Sequence, residues 1–158
     1  MLRQDSALVD QTGDSIIYTY DYPRPSVTVD LALFREKDGS TEVLLIERKH
    51  EPFAGSWALP GGFVDEMEDL KPAARRELQE ECGLEAGPLV QAGAYGKPGR
   101  DPRGHTVSIA FTGTLPADAE PTAGDDAARA SWFPLDALPD LAFDHADIVA
   151  DARRVAAL

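Results

Sequence analysis

The chain has 158 residues, 43% of them hydrophobic and 27% charged, a balance that suits one folded soluble domain spanning 1–158. Its net charge of −13, from 28 acidic against 15 basic residues, argues against nucleic acid as a partner, because that binding rests on cationic contacts to phosphate. No run approaches the roughly 20 apolar residues of a membrane span, MLRQDSALVDQTGD has no signal-peptide core, and a lone Cys82 cannot form an internal disulfide, so a cytoplasmic protein is expected.

In chain order, residues 1–15 are polar and weakly patterned and read as a loose N-terminal segment. Two β-rich runs follow, 15–22 and 26–34, parted by Pro-Arg-Pro. In the second, Val27, Val29, Leu31 and Leu33 alternate with Thr28, Asp30 and Ala32. KDGS is a turn signal, and TEVLLIERK completes a hairpin. HEPFAGSWALPGGFVDEME reads as a loop with one short strand at WALP. A helix is declared next. Asp69 can cap it, Pro72 fits its first turn, AARRELQEEC contains strong helix formers, and Gly83 is placed to end it. PLVQAGAYG and HTVSIAFTGTL are expected strands around a basic loop, KPGRDPRG. After a long acidic loop come a short strand, SWFPL, and a closing helix, FDHADIVADARRVAAL. Strands and helices in mixed order indicate an α+β or α/β layered domain.

The helix carries an acidic cluster. At about 100° per residue, Glu77, Glu80 and Glu81 share one face, while Ala74, Leu78 and Cys82 form a neighbouring apolar face. Arg76 stands four positions before Glu80, within pairing reach. An isolated Glu-x-x-Glu-Glu is compatible with a solvated acidic face. Three convergent carboxylates would instead need compensating cations, and oxygen-only ligation suits Mg2+ and Mn2+. Divalent ions would also let a chain this acidic accept an anionic ligand.

The flanking residues favour the second reading. From Gly62 to Leu84, GFVDEMEDLKPAARRELQEECGL resembles the Nudix box, G-x5-E-x7-R-E-U-x-E-E-x-G-U with U aliphatic. Gly62, Glu68, Arg76, Glu77, Leu78, Glu80, Glu81, Gly83 and Leu84 match its fixed positions. The resemblance implies an α/β fold of the Nudix type, an α/β/α sandwich with a mixed β-sheet and a catalytic loop–helix–loop. It implies hydrolysis of a nucleoside diphosphate linked to another moiety, with Mg2+ or Mn2+ as cofactor. Carried onto this chain, Glu77, Glu80 and Glu81 become metal ligands together with the Gly62 carbonyl. Arg76 orients the glutamates, and Glu68 lies at the periphery as a weaker ligand or structural partner. Gly61 and Gly62 suit a close backbone approach.

A second stretch, YGKPGRDPRGHTVSIAF, offers Arg100 and Arg103 as planar donors for phosphate or carboxylate, with Asp101 able to hold one of them. RDPRGH, PFAGSWALPGGFV and LAFDHADIV together resemble the Nudix branch of ADP-ribose pyrophosphatases and ADP-ribose-responsive NAD regulators, over about residues 22–150. Pro98, fourteen positions after Leu84, is near the place where ADP-ribose hydrolases of the family carry a proline. Further substrate candidates are Arg48 and Phe53. Trp57 is assigned to the core, His105 to a structural role, and Tyr18, Tyr20 and Tyr22 to a strand or a subunit contact. The family places its general base on the box helix or on a loop before the last strand. Glu80 is favoured here, with Glu120, Asp125 and Asp126 as loop alternatives. The expected partner is a small nucleotide, ADP-ribose first, and by family analogy the protein is a homodimer. The alternatives are another nucleotide (a dinucleoside polyphosphate, NADH or an oxidised nucleotide) and a non-catalytic ADP-ribose sensor.

Overall fold

The structure is a computed structural model that describes residues 18–124 and 126–158. Its elements, in chain order, are strands β1 (Ser26–Lys37), β2 (Ser40–Arg48), β3 (Trp57–Ala58) and β4 (Gly61–Phe63), helix α1 (Leu70–Cys82), strands β5 (Val90–Tyr95), β6 (Thr106–Thr114) and β7 (Ala127–Pro134), and helix α2 (His145–Val155). The strands form one mixed sheet in the order β3-β2-β1-β6-β5, with β4 also on β1 and β7 also on β2. β1 and β6 are parallel, and the other pairs are antiparallel.

The period-2 pattern of β1 decides the layers. Val29, Leu31 and Leu33 pack with Ala74, Leu78 and Cys82 of α1, while Ala32 and Phe34 pack with Ile148, Val149 and Ala152 of α2. β1 is therefore buried on both faces, as a strand covered by helices should be. The result is the α/β/α sandwich expected from the resemblance. β1 turns into β2 through Asp38 and Gly39, both at positive φ (52° and 80°), the conformation a two-residue Asp-Gly hairpin turn requires.

α1 is bounded as its sequence indicates. Asp69 accepts the Leu70 N–H, and Gly83 ends the helix at φ 64° while donating its N–H to the Gln79 carbonyl. The last carbonyls of α1 find partners in the acidic loop, where the Thr122 N–H donates to Cys82 and the Gly124 N–H to Glu81. A helix end without such partners would leave buried acceptors unsatisfied. This docking also carries the loop, and Asp126 on it, to the side of the helix that holds the glutamates.

Three expectations need correction. Of the β-rich run at 15–22, residues 15–17 lie outside the described residues and 18–22 form no strand; Tyr18, Tyr20 and Tyr22 are exposed instead. The loose segment assigned to 1–15 also lies outside the described residues. The strand read at SWFPL starts four residues earlier, at Ala127, because Ala127, Arg129 and Ala130 pair with β2. Gly61–Phe63, expected as loop, form the short strand β4, whose ladder with Val29 and Asp30 of β1 sets the path of Gly61 and Gly62.

Candidate active site

A cavity of about 290 Å³ opens beside β1, β4, α1 and the start of α2. Glu77 and Glu81 of α1, Gly61 and Gly62 of β4, and Asp126 line one wall. Thr28 and Asp30 of β1 and His145 of α2 form another part of its lining, and Arg48, Arg100 and Arg103 bring three guanidiniums to it.

The glutamates differ in their surroundings. Glu77 and Glu81 are buried, at 3% and 6% exposure, whereas the Glu80 side chain is 37% exposed and does not line the cavity. Arg76 joins Glu77 and Glu80. Its guanidinium donates to Glu77 at 2.7 Å, to Glu80 at 3.2 Å, to the Phe63 carbonyl at 3.0 Å and to both Glu68 oxygens at 2.8 Å. These bonds, with Glu68 contributing most, raise the affinity of Arg76 for its proton. Arg76 therefore orients the cluster, and Glu68 serves it as a two-oxygen partner. Where the sequence reading has three convergent carboxylates, the structure brings two to the cavity and holds Glu80 on the arginine. Among the described residues, no three acidic, histidine or cysteine side chains stand together closely enough to hold a metal ion.

Glu81 accepts the Gly61 N–H at 2.9 Å. Burial pushes its carboxyl up to about 8; the Gly61 bond works in the opposite direction, and Glu77, Asp30 and Asp126 add to the rise. A carboxylate so placed is stabilised by a cation. Gly62 leaves room beside Glu77, since a Cβ there would stand 2.6 Å from that carboxylate. Two buried carboxylates with side-chain-free backbone against them form an oxygen donor set that suits a divalent ion.

The arginines are not equivalent. The Arg100 side chain is buried, at 4% exposure, and donates through two nitrogens to both oxygens of Asp144; burial opposes its charge, and this pair more than offsets that cost. Arg103 is held by both oxygens of Asp101. Burial works against the Asp101 carboxylate, but Arg103 outweighs it and keeps that carboxyl below its usual range. Arg48 donates its Nε to the Pro52 carbonyl at 2.8 Å. Burial, and then the neighbouring Arg103, lower its affinity for the proton, and among the described residues no carboxylate lies at ion-pair distance from it. Arg100 and Arg103 are thus each paired with an aspartate, and Arg48 is the cavity arginine without a carboxylate at that distance among the described residues.

The remaining candidates are distributed as follows. Phe53 stands beside the cavity with its ring edge-on to Phe143, centroids 4.8 Å apart. Pro98 is exposed and away from the lining. Trp57 is half-buried, packed against the core cluster beneath α2 and edge-on to Phe133. His105 makes a surface contact with the Gly96 carbonyl. Glu120 pairs with Arg35 and Lys37 and is remote from the cavity, because that ion pair anchors the loop on β1. Asp126 lines the cavity and faces His50 at 3.6 Å. Asp125 lies outside the described residues.

Sequence reasoning assigned no site role to Asp30, Phe143, Asp144 or His145. Asp30 accepts the Ser108 hydroxyl. His145 accepts the Leu59 N–H on Nδ1 at 2.9 Å, which puts the ring proton on Nε2, 3.5 Å from Asp30. Burial holds His145 below its ordinary titration range, so a neutral ring fits this position. Three of these four residues fall within LAFDHADIV, one of the stretches that carried the family resemblance.

The sequence profile of the NUDIX domain matches residues 24–152. The chain belongs to the Nudix family. Among its Nudix relatives, an ADP-ribose pyrophosphatase of Methanocaldococcus jannaschii is 47% identical over 133 residues, 84% of this chain and 76% of that protein. The ADPR responsive transcriptional repressor NtrR of Acinetobacter baylyi is 39% identical over 84% of this chain, which spans about half (54%) of the repressor's length. The Nudix domain of Shewanella oneidensis NrtR, solved in complex with ADP ribose, superposes with a TM-score of 0.79 at 32% identity, covering 87% of this chain and 94% of that one. Nudix hydrolases in general use a divalent metal ion. No helix among the described residues is long and apolar enough to cross a membrane.

Proposed function

We propose that this protein is a pyrophosphohydrolase that cleaves ADP-ribose to AMP and ribose 5-phosphate with Mg2+, for which Mn2+ can substitute. The observation that carries the reading is one cavity containing two buried glutamates, a side-chain-free backbone against them, and Arg48, which has no carboxylate at ion-pair distance among the described residues. The choice of substrate draws on the 47% identical ADP-ribose pyrophosphatase and on the ADP-ribose-bound neighbour.

Glu77 and Glu81 would hold the ion with the Gly62 carbonyl, and Glu80, which stands outside the cavity on Arg76, would have to turn inward to join them. The ion, when bound, neutralises the diphosphate and lowers the pKa of water. The protein's own residues do the rest. Arg48 binds the substrate phosphates, Arg76 keeps Glu77 and Glu80 in place, and Gly61 fixes Glu81 through its N–H. Water adds to phosphorus as the bridging P–O bond breaks, and a general base must take its proton. We assign that proton to Asp126, because Asp126 lines the cavity and Glu80 is held by Arg76 outside it.

We read the chain as a single working Nudix domain in the cytoplasm, acting on a free nucleotide and not on nucleic acid, in keeping with its −13 charge. A homodimer is the expected assembly, supported by the exposed Tyr20 and Tyr22 around Arg24.

Purified protein with Mg2+ should convert ADP-ribose to AMP and ribose 5-phosphate faster than NADH, diadenosine polyphosphates or nucleoside triphosphates, as read by product chromatography. Chelation of the metal should stop the reaction. Survival of ADP-ribose beside cleavage of another compound would overturn the substrate assignment, and tight binding without cleavage would establish a sensor.

A further inference from the structure

Phe143, Asp144 and His145 are consecutive, and each reaches a different wall of the cavity. His145 receives the Leu59 N–H of the segment leading into β4. Asp144 clamps Arg100 of the β5–β6 loop. Phe143 contacts the two other cavity arginines, with the Arg48 guanidinium 5.0 Å and the Arg103 guanidinium 5.6 Å from its ring centroid. Its backbone is left-handed, at φ 54°. Bulky side chains rarely adopt that conformation, and where they do the surroundings must hold them there.

The two arginines come from distant parts of the chain, the end of β2 and the β5–β6 loop. Like charges brought this close repel, and the proximity of Arg103 is felt at Arg48. Asp101 compensates Arg103, whereas Arg48 has no carboxylate at ion-pair distance among the described residues. What lies near both cations is the Phe143 ring, whose negative π-face attracts a guanidinium. Phe53 braces that ring edge-on at 4.8 Å, and Phe63 flanks Arg103 from another side at 4.9 Å.

We propose that Phe143 is a positioning residue that holds Arg48 and Arg103 together at the cavity, ready for the diphosphate of the substrate. The proposal rests on the ADP-ribose reading above. The ring takes no part in bond breaking, so its removal acts mainly on substrate binding.

Phe143→Leu should raise KM for ADP-ribose about tenfold, as loss of a partly desolvated cation–π contact predicts, with a smaller fall in kcat. It should weaken binding of inorganic pyrophosphate, measured by calorimetry with Mg2+ present, by a similar factor. Phe143→Tyr, which keeps an aromatic face, should recover most of both losses. In an Arg48→Ala background the added penalty of Phe143→Leu should fall to about threefold or less, since half of what the ring organises is gone. A general packing defect would instead lower kcat by more than it raises KM, persist undiminished in that background, and leave Tyr no better than Leu; any of these results rejects the proposal. If the wild-type protein does not cleave ADP-ribose, the functional reading fails. The pyrophosphate series still decides the role of the ring, because it measures the arginines whichever nucleotide is the substrate.

Discussion

Replacing Glu81 by glutamine is expected to lower kcat by on the order of a hundred- to a thousandfold and, at the same time, to make the metal-free protein more stable at alkaline pH. The two effects have one cause. Glu81 is buried beside Glu77, with its oxygen on the Gly61 N–H, and burial lifts its carboxyl from 4.5 to about 8. Between those values the folded protein retains a proton that the unfolded chain has released. Stability of the metal-free protein should therefore fall as pH rises from about 4.5 to 8, by on the order of a few kcal/mol over the window. Below the window both states are protonated and the contribution is constant; above it the full cost of the buried charge remains. Glutamine has the same shape and can still accept from Gly61, but it carries no charge for a cation to match. Thermal melts of the metal-free proteins at pH 5, 7 and 9, beside turnover of ADP-ribose, provide the check. A Glu81→Gln protein that keeps more than a tenth of wild-type turnover, or melts with an unchanged pH slope, would remove Glu81 from the proposed centre.

The same residue shows which parts of this protein can be read from its sequence. Glu81, its helix and both helix ends are local features, because caps and face geometry depend on neighbours within four positions. Asp69 and Gly83 stand where those rules put them. Interactions across long separations were less legible. Arg100 and Arg103 look alike in sequence, but one is bound by Asp101 two positions before it and the other by Asp144, which is 44 positions away. The Asp101 partner lies within local reach and is anticipated from the sequence, whereas nothing near Arg100 in the chain points to Asp144. β7 extends beyond SWFPL for a similar reason. Ala127, Arg129 and Ala130 carry little strand signal, and β2 supplies their pairing from about 80 positions earlier. Phe143, Asp144 and His145 stood in a stretch recognised as family-like, yet their chemistry depends on Arg48, Arg100 and Leu59, which only the fold brings to them.

Adjacent glycines give the sharpest contrast between scaffold and site. Gly61→Ala should prevent stable folding, costing about 3 kcal/mol or more, whereas Gly62→Ala should fold and lose activity by on the order of a hundredfold. A Cβ on Gly61 would stand 2.1 Å from the Val29 carbonyl oxygen and 2.9 Å from the Asp30 Cα. Both are backbone atoms of β1, and β1 is fixed on its other edge by nine residue pairs with β6. It has nowhere to move without breaking the ladder that links Gly61 to Asp30. The atoms nearest a Cβ on Gly62 are those of the Glu77 carboxylate, at 2.6 Å. That carboxylate can rotate away, but doing so takes it off Arg76 and out of the donor set proposed for the ion. Gly62→Ala should therefore keep a cooperative melt within a few degrees of wild type, bind Mn2+ at least tenfold more weakly in a paramagnetic titration, and turn over slowly even when metal is raised to saturation. Wild-type Mn2+ affinity in a folded Gly62→Ala protein would show that Glu77 is not a ligand, and the centre would then have to be sought around Glu81 and Asp126.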